Sequence, residues 1–265
     1  MEMSIKIGIV SLGLIGSSIL KALYKKYDIY CFSTSCPLNA KNYTENLSNN
    51  IEIVKDCDIV FVCSPISKTA ELLNKLNNVV KKECIVADCA SVKNDLVDKE
   101  YNFNFILSHP MAGTEKTGFE AGQSDLFLGA KWLIGKNNAL LEQIIEEVGA
   151  MPYLIDMNYH DYMCAQISHL PMLLAYSLFD CTNDNSKFIA SSGFRDMTRL
   201  ASNPAMSADM TEFNKKNIEF ALDEMIKKLN NLKNLSYDKK IELFAKIAQK
   251  RAQMYNKDGK NVFKN

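Results

Sequence analysis

Short apolar, β-branched runs alternate with amphipathic stretches over the first 155 residues. Six runs predict strands: IKIGIV (5–10), DIYCF (28–32), DIVFVC (58–63), CIVAD (84–88), NFILSH (104–109) and KWLIG (131–135). Near-continuous apolar runs separated by helical segments are typical of a parallel sheet covered by helices on both faces. The pattern therefore predicts a doubly wound α/β, Rossmann-like domain over residues 1–155.

After Asp156 the β-branched runs disappear and helical spacing takes over. We therefore predict an all-helical second domain over residues 156–265. One of its helices carries an apolar stripe between charged residues, formed by Phe213, Phe220, Ile226 and Leu229. The stripe packs in the chain's own core or, in a helical domain this short, joins two chains in a homodimer.

Charge and apolar content restrict the partners. Lys plus Arg and Asp plus Glu both number 31, so a net charge of zero provides no field that attracts nucleic acid or an acidic membrane. No apolar run approaches the roughly 18 residues of a spanning helix, and the N-terminus does not resemble a signal peptide. The eight cysteines form no C-x-x-C pair, which favours buried free thiols over disulfides or a zinc site. We expect a cytoplasmic protein whose polar tail (256–265) frays.

The segment SLGLIG lies between the first predicted strand and a helix. It resembles the dinucleotide-binding turn G-x-G-x-x-G with Ser11 in place of the first glycine. Gly13 permits close approach of a pyrophosphate, and Gly16 permits close packing of the helix on the strand. The amides around Ile15 to Ser17 lie at a helix N-terminus, which favours phosphate, and Leu14 and Ile15 are candidate cofactor contacts. A small residue such as Ser11 serves in the turn provided that its φ stays negative; a plain turn without a ligand is the alternative.

The residues after the second predicted strand bear on the choice of cofactor. An NAD site usually has Asp or Glu there to accept from the ribose 2′-hydroxyl, but this chain has Ser33, Thr34 and a further serine. Hydroxyl groups tolerate a 2′-phosphate better than a carboxylate does, which favours NADP and leaves NAD open. Ser64 and Pro65 follow the third strand and are further candidate cofactor contacts.

His109 ends a predicted strand and begins the loop HPMAGTEKTG, at the carboxyl edge of the sheet where open α/β folds bind ligands. A neutral imidazole there can accept a proton during a reaction. The segment DCASVK ends at the same edge and is expected to bring Ser91 and Lys93 near His109. A structural hydrogen bond is the alternative role for a lone histidine.

Two further histidines lie in the first predicted helix of the second domain. His160 lies nine residues before His169, so a straight α-helix would place them on opposite sides, and we do not expect them to serve one site. Pro171 removes an amide from this helix and is expected to kink it.

The segment GFRDMTRLA carries two arginines four residues apart, Arg195 and Arg199, with Asp196 between them. This spacing places the arginines on one helical face. Surface ion pairing is one interpretation of the trio. Alternatively, two guanidinium groups bind the carboxylate of a substrate.

Five segments, GLIGSS, DCASVK, HPMAGTEKTG, ISHLP and GFRDMTRLA, in this order and spacing, resemble the prephenate/arogenate dehydrogenase family of tyrosine biosynthesis. HPMAGTEKTG followed by ISHLP and FRDMTR is far more specific than any glycine pattern. The resemblance runs from about residue 5 to about residue 215. It implies a nucleotide-binding domain, a helical dimerisation domain and an active site in the cleft between them.

The reaction that the resemblance implies is NAD(P)-dependent oxidative decarboxylation of prephenate, with arogenate as the alternative substrate and no metal. His109 matches the histidine that accepts the proton of the ring hydroxyl, and Ser91 matches the serine that orients this hydroxyl. Arg199 matches the arginine that pairs with a substrate carboxylate. The remaining matches are an ion network around Arg199 that includes Asp196 and Glu115, and the pocket positions Thr114, Ser168 and His169.

Three positions depart from the family pattern. Besides Ser11, Met172 stands where many prephenate-using members have a second histidine, and Ser207 stands where many have tryptophan. Met172 cannot hydrogen-bond the substrate as imidazole would, so prephenate and arogenate both stay open. The rival interpretations are another NAD(P) reductase with a helical domain, such as β-hydroxyacid dehydrogenase or pyrroline-5-carboxylate reductase, and a nucleotide-binding regulator. HPMAGTEKTG argues against the reductases.

Overall fold

The computed structural model describes residues 5–255, which divide into two compact units between Ile218 and Glu219. The polar tail that was expected to fray lies outside the described residues. The chain changes from mixed strands and helices to helices between Leu154 and His160. The predicted domain boundary after residue 155 falls in this interval and stays a prediction.

The main sheet has six strands: β1 (Lys6–Val10), β2 (Asp28–Phe32), β3 (Leu47–Ser48), β4 (Ile59–Val62), β5 (Ile85–Asp88) and β6 (Asn104–Ile106). Their order is β3-β2-β1-β4-β5-β6, and every neighbouring pair is parallel. The predicted parallel sheet is confirmed. The two residues of β3 are too few to show a pattern in the sequence.

Helices α1 (Leu14–Leu23), α2 (Ile66–Leu76) and α3 (Ala139–Glu147) cover both faces of this sheet. Side chains alternate between faces along a strand, and β1 accordingly contributes to two separate apolar cores. Ile7 and Ile9 pack in a core with residues of α1 and α3, whereas Val10 packs in a core with residues of α2. This two-sided burial confirms the doubly wound α/β class.

The run NFILSH does not form one strand. It divides at Leu107, and its second half begins a separate sheet of three strands: β7 (Ser108–Pro110), β8 (Lys131–Ile134) and β9 (Met151–Leu154). Strand β7 is antiparallel to β8. The sequence predicted KWLIG as a strand of the main sheet, but its strand, β8, belongs to this separate sheet. The division occurs because the Ser108 amide donates to the Asp88 carboxylate (3.0 Å) and the Ser108 hydroxyl to the Asp88 carbonyl (2.6 Å), which ends the ladder.

The described elements from His160 to Met254 are helical: α4 (His160–Cys164), α5 (Leu170–Cys181), α6 (Asp184–Lys187), α7 (Ser192–Thr198), α8 (Pro204–Phe213), α9 (Lys215–Lys233) and α10 (Tyr237–Met254). A π-helical turn, Ala165–His169, joins α4 to α5 directly before Pro171. Because proline has no N–H, the irregularity predicted at Pro171 takes the form of this widened turn.

The second unit carries exposed apolar side chains. Phe220, Ile226 and Leu229 of α9 are 54%, 47% and 53% exposed, and Phe244 and Ile247 of α10 are also about half exposed. Three residues of the predicted stripe are therefore about half exposed in this chain, whereas its first residue, Phe213, ends α8 and is half-buried. Among residues 5–255, no helix combines the length and the apolar character needed to cross a membrane. All eight cysteines are free thiols, of which five are buried as predicted, Cys36 and Cys63 are half-buried, and Cys181 is exposed.

Candidate active site

The turn after β1 adopts the glycine conformation although its first residue is serine. Ser11 has a φ of +79°, so the expectation that its φ stays negative is wrong. This left-handed backbone is held because the Ser11 amide donates to the Phe32 carbonyl at the end of β2 (2.8 Å). An L-residue in this region is strained by roughly 1–2 kcal/mol. The tight turn is thus retained with a serine at some loss of stability.

The two glycines of this turn differ in their surroundings. A Cβ on Gly16 would lie 2.1 Å from the Ser11 carbonyl oxygen, so only glycine permits the close packing of α1 on β1. At Gly13 no described atom lies within 4 Å of the position that a Cβ would take, so the space beside the backbone is open. Gly13 is also the N-cap of α1, and no side chain caps the amides that follow at Leu14 and Ile15. An open N-terminus of this kind fits a dinucleotide phosphate.

The other candidate cofactor contacts follow the two strands that flank β1 in the sheet. Ser33 and Thr34 follow β2, and the buried Ser33 hydroxyl lies 3.2 Å from the Ser35 hydroxyl. Ser64 and Pro65 follow β4, where Pro65 caps α2 and the Ser64 hydroxyl lies 3.0 Å from that of Thr69. The carboxyl ends of neighbouring parallel strands therefore bring these residues to one edge of the sheet.

A buried ion pair supports the polypeptide on which His109 lies. The side chains of Lys93 and Asp88 are both fully buried and in direct hydrogen-bond contact. Lys93 Nζ also donates to the carbonyls of Ala90 (2.7 Å) and Ser108 (2.6 Å). Because a buried charge must be fully paired to be tolerated, this network fixes the segment after β5 against β7. Lys93 lies near His109, as predicted, but acts through the backbone of its neighbour.

His109 contacts a histidine that the sequence did not assign to the site. Its Nδ1 atom lies 2.9 Å from Nε2 of the fully buried His160 in α4. His160 Nδ1 lies 2.6 Å from an oxygen of Asp161. Asp161 also accepts the backbone amides of Lys93 (2.8 and 3.0 Å) and Asn94 (2.7 Å). The three side chains form a continuous series from a well-anchored carboxylate to His109.

The surroundings of His109 favour its neutral form. Burial lowers the pKa of His109 well below its usual value, and the nearby charges of His160, Lys93 and His169 lower it further. Cys164 lies beside the pair, with its Sγ 3.5 Å from His160 Nε2 and 4.0 Å from His109 Nδ1. Burial, and secondarily the Asp161 carboxylate, raise the pKa of this thiol to about 12. At neutral pH His109 is therefore an uncharged imidazole, and the neighbouring Cys164 is an uncharged thiol.

His169 lies in the same polar cluster, contrary to the expectation that it and His160 serve separate sites. The π-helical turn before it breaks the straight α-helix on which that expectation depended. The Asn214 side-chain amide lies 3.1 Å from His169 Nδ1 and donates to the Asp161 carbonyl (2.7 Å). Burial lowers the pKa of His169 to about 4. Its buried Nε2 has no hydrogen-bond partner among the described residues.

The remaining predicted substrate contacts are more exposed. Arg199 is the C-terminal cap of α7 and is exposed. The ion pair in this segment joins Asp196 to Arg195 (3.3 Å), so the network expected around Arg199, Asp196 and Glu115 is not formed among the described residues. Glu115 is exposed. Three other predicted residues are half-buried: Ser91 after β5, Thr114 in the loop after His109, and Ser168 in the π-helical turn.

Three residues that complete the cluster were not predicted as parts of the site: His160, Asp161 and Asn214. A His-Asp dipeptide at the start of a helix is a recognisable signal for a histidine oriented by a carboxylate, but adjacency in sequence does not show which group the histidine faces. Asn214 follows α8 and gives no local signal, since its partners lie 45 and 53 residues earlier.

Comparison with known proteins places both parts of the chain in one family. Residues 34–151 match the family described as prephenate dehydrogenase, nucleotide-binding domain. Residues 156–250 match the family described as prephenate dehydrogenase, dimerization domain. The two matches follow each other without overlap and cover most of the chain.

Individual relatives extend over nearly the whole chain. Prephenate dehydrogenase of Lactococcus lactis is 29% identical, over 92% of this chain and 77% of that protein. The structure of Aquifex aeolicus prephenate dehydrogenase in complex with hydroxyphenyl propionate and NAD+ is similar with a TM-score of 0.85 and 27% identity, over 96% of this chain and 99% of that one. Synechocystis arogenate dehydrogenase has a TM-score of 0.78 and 26% identity, over 94% and 99%.

Proposed function

The chain belongs to the prephenate dehydrogenase family, and from this premise we propose that it catalyses the oxidative decarboxylation of prephenate to 4-hydroxyphenylpyruvate with NAD(P). Arogenate, which would yield tyrosine, is the alternative substrate. The observation that carries the proposal is the contact of His109 with His160, which in turn contacts Asp161. His109 begins the segment HPMAGTEKTG that the sequence associates with this family.

The hydrogen bonds around His109 define which of its nitrogen atoms can act as a base. Asp161 accepts the backbone amides of Lys93 and Asn94, as a carboxylate does, so we assign the proton between it and His160 to His160 Nδ1. In a neutral His160 with its proton on Nδ1, the Nε2 atom accepts a hydrogen bond, and His109 donates this bond from its Nδ1–H group. His109 Nε2 is then without a proton and is free to take one.

This assignment leads to a mechanism with balanced protons and electrons. His109 Nε2 accepts the proton of the substrate's ring hydroxyl while the carbon that bears the hydroxyl loses a hydride, and the carboxylate opposite then leaves as carbon dioxide. The electron pair left by the carboxylate makes the ring a phenolate, which takes the proton back from His109 and regenerates the base. When bound, the nicotinamide ring supplies the hydride acceptor. Ser91, two residues before the buried Lys93, orients the hydroxyl. Formation of the aromatic ring provides the driving force, and no metal takes part.

The residues that would hold the cofactor line the carboxyl edge of β1, β2 and β4. The open N-terminus of α1 at Gly13 receives the pyrophosphate. After β2, the hydroxyls of Ser33 and Thr34 stand where NAD-specific sites carry an acidic group, which favours NADP. A 27% identical relative crystallised with NAD+ keeps NAD as the second candidate.

The substrate carboxylate and the second subunit involve the helical part. Arg199 is exposed and carries no ion pair among the described residues, so its guanidinium is available to a carboxylate ligand. Met172 is buried and cannot donate a hydrogen bond to the substrate. The half-exposed apolar side chains of α9 and α10 support a homodimer through the segment that matches a dimerization domain.

The test combines purified protein with prephenate or arogenate and with NAD or NADP, and follows the absorbance of the reduced nicotinamide. We expect turnover with prephenate, and more efficient turnover with NADP than with NAD. Efficient turnover of arogenate but not of prephenate would show that arogenate is the substrate. Cofactor binding without turnover in all four combinations would overturn the proposal and favour a nucleotide-binding regulator.

A further inference from the structure

His109, His160 and Cys164 bring three metal-binding atoms close together. His109 Nδ1, His160 Nε2 and Cys164 Sγ are separated by 2.9, 3.5 and 4.0 Å. The circle through three atoms at these separations has a radius of about 2.1 Å, close to the Zn–N distance of about 2.0–2.1 Å and the Zn–S distance of about 2.3 Å. An ion slightly out of their plane would reach all three ligands at normal bond lengths with small side-chain rotations.

The scaffold around these atoms is the kind that metal sites use. His160 and Cys164 lie four residues apart, which places them on one face of α4, and His109 faces them from β7. His160 also donates its other ring nitrogen to Asp161 (2.6 Å). A carboxylate that orients a ligating histidine in this way is the usual second layer of a zinc site. His160 and Cys164 are almost fully buried, while the half-buried His109 leaves one side accessible.

We propose that a borderline-soft divalent ion, of which Zn²⁺ is the type, binds His109 Nδ1, His160 Nε2 and Cys164 Sγ, and that it inhibits the enzyme. Water occupies the fourth position. Sequence motifs do not predict this site, because its ligands come from two distant segments. The proposed reaction does not predict it either, because that reaction needs no metal.

The proton balance explains why the ion inhibits. Cys164 binds as a thiolate and releases its proton to solvent. His109 binds through Nδ1, so the proton of that nitrogen moves to Nε2. The same Nε2 is the atom that accepts the substrate proton in the proposed reaction. One proton is released for each ion bound, and the base is blocked. The inhibition rests on the proposed function, whereas the binding does not.

Binding is tested first without reference to activity, with Co²⁺ as a spectroscopic probe under reducing conditions. We expect one equivalent of Co²⁺ to produce a thiolate-to-cobalt charge-transfer band that Zn²⁺ removes. Cys164→Ala should abolish the band and Cys164→Ser should abolish it too, which gives a second variant should the alanine protein not fold. Cys181→Ala, which removes an exposed thiol, should leave the band unchanged. No band in the native protein, or an equal band in the Cys164 variants, would overturn the site.

Inhibition is then measured with the substrate and cofactor pair that shows turnover. We expect Zn²⁺ to inhibit the native and Cys181→Ala proteins, a chelator to restore activity, and the Cys164 variants to need at least about tenfold more Zn²⁺, since loss of even an outer-layer group weakens metal binding by about 10- to 100-fold. A cobalt band together with turnover that Zn²⁺ does not inhibit would contradict the proposal that the bound ion blocks His109 as a base. Without turnover in any combination the cobalt result still decides the site.

Discussion

His109 Nδ1 lies 2.9 Å from His160 Nε2, although the two residues are 51 positions apart in the chain. Asp161 lies 2.6 Å from the other nitrogen of His160. In the proposed mechanism these two contacts leave His109 Nε2 unprotonated, so the proposed base depends on a residue of the helical segment as well as on the strand that carries His109.

Removal of the base is the first prediction. His109→Ala should lower kcat by roughly 10²- to 10⁴-fold, the usual contribution of one acid-base group, and leave the Kd of the cofactor nearly unchanged. Steady-state kinetics and a cofactor titration measure the two effects. Equal turnover in the variant and the native protein would exclude His109 from the mechanism.

The second prediction concerns His160, which we regard as a positioning residue. His160→Ala removes the acceptor of the His109 Nδ1 proton, so kcat should fall by roughly 10- to 100-fold, less than on removal of the base itself. His160→Gln retains an oxygen acceptor and should recover part of the loss, with the KM of the substrate little changed in both variants. If glutamine and alanine lose activity equally, orientation of His109 is not the role of His160.

Two arginines allow a matched test of carboxylate binding. Arg199→Ala should raise the KM of the substrate strongly, because it removes a charge-assisted contact, and should leave the cofactor Kd unchanged. Arg195→Ala is the control, since Arg195 pairs with Asp196 at the surface, where side chains are 78% and 67% exposed. An unchanged KM in Arg199→Ala would indicate a structural role.

The strained turn yields a prediction about stability. Ser11→Gly should raise the free energy of unfolding by up to about 1 kcal/mol, because relief of the left-handed backbone outweighs the greater freedom of glycine in the unfolded chain. Ser11→Ala keeps the strain and should give no increase. Urea unfolding of the three proteins measures the difference, and a gain with alanine equal to that with glycine would show that φ is not the cause.

The buried His169 predicts a loss of stability in acid. Its pKa is about 4 in the folded protein against 6.5 ordinarily, so between these values the unfolded chain binds more protons and folding weakens as pH falls. The full effect is about 3 kcal/mol, reached below pH 4. Besides burial, the Asp161 carboxylate, which raises this pKa, and the His160 imidazole, which lowers it, act on His169. His169→Gln should make the unfolding free energy decline less steeply as pH falls from 6.5 to 4. If the slope of unfolding free energy against pH is the same in the variant, groups other than His169 cause the decline.

Much of the fold follows from local pattern. The apolar runs of β1, β2, β4 and β5 lie where the sequence predicts them, because strands buried on both faces need nearly every side chain to be apolar. The run NFILSH shows where this information ends. Its division at Leu107 depends on hydrogen bonds from Ser108 to Asp88, 20 residues earlier, and these are invisible to periodicity.

The sequence by itself determined the class of fold, the glycine positions of the turn after β1 and the family, since these depend on short segments and their order. Only the tertiary structure decided the positive φ of Ser11, which a hydrogen bond to a neighbouring strand imposes, and the meeting of His109, His160 and Asp161. Each depends on contacts between distant segments, whereas sequence pattern reports only what neighbouring residues share.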